Sequence, residues 1–227
     1  MEELFEFLDQ LSRHNRREWF QENKGRYQAC RERFEGVVTQ LIAGIGSFEP
    51  ALATLKASDC IYRIYRDVRF SPNKDPYKTH FAAYINLGGK KSDYSGYYLH
   101  LSNNEPGEFY PHGCFLAAGD YVCQPEVLKI LREDISAGQG DFEATLQNAQ
   151  DFYLDRSSAL KRIPKGFSEN DPYAPYIKLK NFCLIHPFDA TLALQDDFVE
   201  KMTNLCRQAQ PFLAYINRAV DYAKGID

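Results

Sequence analysis

Residues 61–101, IYRIYRDVRFSPNKDPYKTHFAAYINLGGKKSDYSGYYLHL, decide the fold class. Residues 61–70 are rich in β-branched and aromatic side chains and alternate, which predicts a strand. Residues 81–87 predict a second strand, stopped by Gly88 and Gly89. Residues 94–101 predict a third, closing a hairpin through the turn at 88–93. A fourth is expected over 109–118, interrupted by Pro111 and Gly113. Connections this short favour antiparallel pairing, because a parallel pair needs a crossover of about a dozen residues or more.

On either side of this block the apolar period changes to that of helices. Leu4, Phe7, Leu8 and Leu11 fall on one helix face. Asn15 with Glu18 three residues on has the form of an N-cap signal. From Trp19 to Ile45 apolar residues recur every three or four positions, with Asn23 interrupting the stripe. After Pro125 the helical period returns, with Val127, Leu128, Ile130, Leu131 and Ile135 in one stripe ended by Gly138 and Gly140. Further helices are expected over 141–152, 175–182 and 192–222, the last broken at Pro211. Helices, then strands, then helices make an α+β protein: N-terminal helices, a central mainly antiparallel sheet and C-terminal helices, read as one domain over residues 1–227.

Composition narrows the function classes. The chain has 27 basic and 31 acidic residues, a formal net charge of −4, and 14 % aromatic residues, enough apolar surface to fold. The longest run without a charged residue, 36–48, is 13 residues, short of the roughly 20 that cross a bilayer. The acidic, amphipathic start MEELFEFLDQ is unlike a signal peptide. The six cysteines show no CxxC and no zinc-ligand spacing. Free thiols in a reducing cytoplasm are therefore expected. Neither GxGxxG nor GxxxxGK[ST] occurs.

The charge is unevenly distributed. Residues 61–91 hold seven Lys or Arg against two Asp, a net +5, which leaves −9 for the rest. A confined positive segment in an acidic protein points to a local anion site, and makes a nucleic-acid partner an unfavoured expectation. Alternation places Arg63, Tyr65, Asp67 and Arg69 on one face of the expected strand, with Arg66 among Ile64, Val68 and Phe70 on the other. Arg66 is therefore expected to be partly buried and compensated. Pro72 and Pro76 stiffen the following loop, which carries Ser71, Lys74, Tyr77 and Lys78. Asp67 and Arg69 are spaced to pair, and a structural role for any single base is open beside the functional one. His80 directly after the loop is the candidate acid–base. Tyr98 and His100, sharing a strand face, read as an aromatic row, and residues 160–167 (LKRIPKGF) as a second small basic loop.

At these residues the sequence resembles a widespread, mostly bacterial family of uncharacterised proteins, the domain of unknown function numbered twenty-four sixty-one. The matching blocks are HNRREWF (14–20) with Asn23 and Lys24, RIYRDVRFSPNKDPYKTHF (63–81), GYYLHL (96–101), the helix opening at Pro125, LKRIPKGF (160–167) and LKNF (179–182). They span nearly the whole chain, so a complete domain is expected. His14 stands where the family pattern has Asn, and SENDP (168–172) replaces an Asp-His-Pro pattern, so any role of that histidine is absent here. The resemblance implies one compact α+β domain, and no activity, substrate or cofactor.

The reading that follows is a cytoplasmic domain that binds a small phosphate- or carboxylate-bearing ligand, with an enzymatic role left open. Arg63, Arg66, Arg69, Lys74 and Lys78 supply charge, Ser71 and Tyr77 supply neutral donors, and Trp19 or Tyr98 supplies a stacking surface. The alternative is a non-enzymatic interaction module with a Tyr- and Arg-rich surface. No metal site and no membrane partner is expected.

Overall fold

A computed structural model describes residues 1–90, 92–103 and 113–226. The protein is α+β, with helices at both ends and a five-stranded antiparallel sheet between them. The N-terminal helices are α1 (Glu2–Arg13), α2 (Arg17–Glu22), α3 (Lys24–Gly46) and the short α4 (Ala57–Cys60). Strands β1 (His80–Asn86), β2 (Gly96–Ser102) and β3 (Cys114–Asp120) follow, then α5 (Pro125–Ser136) and α6 (Phe142–Asn148). Next come β4 (Tyr153–Leu154), α7 (Ala174–Ile177), β5 (Phe182–Phe188) and α8 (Phe198–Ala223). The strand order is β1-β2-β3-β5-β4, with Tyr153 opposite Ile185 and Leu154 opposite Leu184 in the last, antiparallel pair.

The chain divides into two compact units. The first comprises Met1–Ile85, Tyr98–Leu116 and Pro187–Thr203. Its core starts from the α1 stripe, Leu4, Phe7, Leu8 and Leu11, all fully buried. Helix α3 adds Phe34, Val38, Leu41 and Ile45. Each such side chain gives roughly 1.5–3 kcal/mol on burial. Tyr27 of α3 stacks on Phe81 of β1 at 6.1 Å and Phe34 meets the same ring at 5.5 Å. These contacts seat the helices on one face of β1. Successive side chains on a strand point oppositely, so His80 is carried to the other face.

The second unit comprises Asn86–Tyr97, Ala117–His186 and Asn204–Asp227. Here α5 packs on α7, and Phe142 of α6 lies among Tyr176, Phe182, Phe212 and Tyr215. Gly119 has φ of 136°, and a Cβ there would sit 2.1 Å from the carbonyl oxygen of Phe182. Only glycine lets those two backbones meet.

Several expected elements are corrected. Residues 61–70 form no strand; only the bridges Ile61 to Ala83 and Tyr65 to Tyr77 remain. The segment instead makes a loose arm, with Tyr62 N–H donating to Ala82, Arg66 N–H to Pro76 and Lys78 N–H to Ile64. Beyond Arg66 no strand pairs with the segment among the described residues, and Phe70 is 95 % exposed. Asn15 caps no helix: α2 starts after Arg16 without a side-chain cap. The expected second helix divides at Asn23, whose Nδ2 donates to Trp19. The fourth strand begins at Cys114, and residues 109–112 of its expected span lie outside the described residues. Helix α6 stops at Asn148 and α7 at Ile177, each shorter than its expected span. Helix α8 continues through Pro211. The buried stripe Cys206, Ala209, Phe212, Leu213, Ile216 and Val220 offsets the roughly 3 kcal/mol that an internal proline costs. All six cysteines are free thiols, and five are buried. No helix among the described residues is long and apolar enough to cross a membrane.

Candidate functional site

The arm of residues 61–78 uses much of its polar chemistry on itself. Arg69 grips Asp67 with two bonds, Nε to Oδ1 at 3.0 Å and Nη2 to Oδ2 at 2.6 Å. That grip lowers the Asp67 carboxyl to about 2. Lys74 Nζ donates to the Val68 carbonyl at 3.0 Å. Arg66 reaches across the arm, donating to the Asp75 carbonyl at 3.1 Å and to Ser71 Oγ at 3.3 Å. These crosslinks fix the arm's shape where no ladder does.

Tyr77 is the arm's foundation. It is 3 % exposed and stacks on Phe20 at 4.0 Å with 13° between planes. Asn15 holds its backbone from the other side, accepting from Tyr77 N–H and donating to Tyr77 O. Burial pushes the Tyr77 phenol up, so its hydroxyl is part of the packing. Arg63 and Lys74 are exposed. The ring of Trp19 packs on Phe7 and His14.

Lys78 and Arg66 have a different address. Lys78 Nζ lies 5.2 Å from the centroid of the Tyr62 ring. The charges of Lys78 and Arg66 both act on His80, the first residue of β1. His80 is 8 % exposed, and burial, then Lys78 and Arg66, press its imidazole down to about 3. It stays neutral at any physiological pH.

Strands β2 and β3 complete the cluster within the first unit. His100 of β2 stacks on His80 at 4.3 Å and on Phe115 of β3 at 4.6 Å. Burial, His80 and Lys78 also hold His100 well below its usual range. Tyr98 Oη lies 3.2 Å from His100 Nδ1, and Tyr62 meets the Tyr98 ring edge-on at 6.2 Å. Burial pushes the Tyr98 phenol up. The result is a wall of neutral rings beside two cations. Cys114, next to Phe115 in β3, donates to Ser102 O, and burial lifts its thiol to about 11. Among the described residues no group of three or more His, Cys, Asp or Glu is placed to hold a metal ion.

Of the residues singled out from sequence, Lys78 and Arg66 act electrostatically on His80. The fold ties Ser71 to Arg66, pairs Arg69 with Asp67 and buries Tyr77. Tyr62 and the Tyr98–His100 pair join them, although the sequence reading gave them no ligand-binding charge or acid–base role. The signal was present: Tyr98 and His100 are two apart on a strand joined to His80's strand by one hairpin. The second basic loop, 160–167, belongs to the second unit, where Glu169 accepts from Ile163 N–H and from Lys178.

A family model for a conserved hypothetical protein matches the chain over residues 3–215. No curated protein and no solved structure matches it.

Proposed function

Because the chain belongs to DUF2461, a family whose description carries no activity, we propose its function from the site itself: binding of a small phosphate- or carboxylate-bearing ligand by Lys78 and Arg66, in front of the His80–His100 pair. The observation that carries this reading is that Lys78, 5.2 Å from the Tyr62 ring, and Arg66 both act electrostatically on the buried His80 imidazole. Cations held beside low-dielectric walls attract an anion more strongly than solvated ones do. Arg66 offers a planar fork for paired oxygens, Lys78 a point charge. Arg63 and Lys74, on the outer arm, contribute to the field that draws the ligand in, while Ser71, Tyr77 and the Arg69–Asp67 pair, neutral overall, fix the arm.

A general base works best with a pKa near the working pH. At about 3, His80 is mismatched to proton transfer at neutral pH, which favours binding over acid–base chemistry at this residue. Six free thiols fit a cytoplasmic setting.

Calorimetric titration with inorganic phosphate and with small carboxylates tests the reading. Saturable binding that weakens about tenfold or more in Lys78→Ala supports it; absence of binding by any anion overturns it. One observation favours a second reading, an interaction module: Phe70 is 95 % exposed, with the Arg69 guanidinium 5.9 Å from its ring. Loss of a specific protein partner in Phe70→Ala, with anion binding unchanged, would favour that alternative.

A further inference from the structure

We propose that the ligand is an aromatic anion, a planar ring that carries a phosphate or carboxylate group, as in a nucleoside monophosphate. This rests on the anion reading above and specifies the ligand's other half.

The anion-binding charge and an accessible aromatic surface are adjacent. Lys78 Nζ is 5.2 Å from the centroid of the Tyr62 ring, and Tyr62 is 37 % exposed. An oxygen accepting from Nζ at about 2.8 Å therefore brings whatever it is attached to near the Tyr62 ring. That ring is held in place by its edge-on contact with Tyr98. Behind it, Tyr98 packs on Phe115, and Phe115, His100 and His80 lie in file.

A bare phosphate engages Lys78 and Arg66 and leaves this wall unused. A planar ring packs on the exposed part of the Tyr62 ring, which the buried rings back, and ring-on-ring packing tolerates any heterocycle with a π face. Burial pushes both the Tyr62 and Tyr98 phenols up, so neither becomes an anion that repels the ligand. Cationic Lys78 beside Tyr62 also polarises that ring toward an aromatic partner.

The test compares dissociation constants for inorganic phosphate, ribose 5-phosphate, adenosine monophosphate, uridine monophosphate and benzoate, measured by calorimetry on the full chain. The mononucleotides are expected to bind at least about tenfold more tightly than ribose 5-phosphate. Tyr62→Leu should erase that ratio, whereas Tyr62→Phe keeps it. Lys78→Ala should weaken all phosphates together. Benzoate binding with the same dependence on Tyr62 points to a carboxylate as the source of the same chemistry. Equal affinity for ribose 5-phosphate and the mononucleotides, or a ratio that survives Tyr62→Leu, overturns the aromatic assignment and leaves the anion reading standing. Failure of every anion to bind overturns both.

Discussion

The imidazoles of His80 and His100 lie stacked, centroids 4.3 Å apart and planes 30° apart, on the sheet face opposite the N-terminal helices. Protonating either would bury a charge beside Lys78, which both rings feel, and Arg66, which His80 also feels. His80 is therefore neutral in the folded protein down to about pH 3, but takes a proton near 6.5 when unfolded. Between these values the unfolded state binds more protons, so stability falls as pH falls. Above 6.5 this contribution is fully present. Within the window it changes by up to about 1.4 kcal/mol per pH unit for one histidine. Thermal melts from pH 4 to 8 should show His80→Gln losing less stability on acidification than the wild type. Equal slopes would place the His80 imidazole in water.

Asn15 makes a different prediction. Its amide holds Tyr77 at both backbone polar atoms, donating at 2.9 Å and accepting at 3.1 Å. Asn15→Ala strands two part-buried groups and should cost roughly 1–3 kcal/mol by denaturant unfolding. Asn15→Asp keeps the acceptor and loses the donor, so it should fall between. Because Tyr77 anchors the arm, phosphate affinity should drop as well.

Much of the fold was legible from spacing. The four apolar residues of α1 and the stripe of α5 lie where their period places them, and Gly88 and Gly89, both at positive φ, close the β1–β2 hairpin. Residues 61–70 mislead because alternation does not by itself mean burial. Tyr65 and Phe70 alternate correctly but face water, and Pro72 and Pro76 lack the N–H a ladder needs. β5 was hidden for the opposite reason. Phe182 to Ile185 are buried on both faces, and a short unbroken apolar run does not separate strand from helix. At the site, Lys78 and His80 stood out as chemistry-bearing residues in one short segment. Their neighbours Tyr98 and His100 come from another strand, and pairing across a hairpin is a tertiary fact that local charge does not encode.

Gly119 offers a test of the second unit. A Cβ would come within 2.1 Å of Phe182 O and 2.9 Å of Cys183 Cα, and φ of 136° is itself unfavourable to other residues. Both neighbouring atoms are backbone and cannot swing aside. Gly119→Ala should therefore be among the most destabilising alanine changes in the chain, about 3 kcal/mol or more. Chemical denaturation measures it. A shift under about 1 kcal/mol would mean the β3 and β5 backbones are further apart than described.

The bases of the arm should separate by role. Lys74 is exposed and donates to one carbonyl, so Lys74→Ala should change stability by under about 0.5 kcal/mol and phosphate binding only through the long-range field. That field effect should vanish at high salt, where charges more than about 3 Å apart are screened. Arg66 is half-buried and crosslinks the arm through Asp75 O and Ser71 Oγ. Arg66→Ala removes both bonds and should cost at least about 1–3 kcal/mol. Lys78 stands over Tyr62 and its charge presses on His80 and His100. Removing it relieves repulsion on any proton those rings take up, so Lys78→Ala should lose less stability than the wild type on acidification. The same change should reduce the stabilisation that phosphate confers, since linkage depends directly on affinity. Melts of the three variants, with and without phosphate, at pH 5 and pH 7.5, read all of these effects. A Lys78→Ala protein stabilised by phosphate as much as the wild type would move the anion away from this lysine, and with it the whole site.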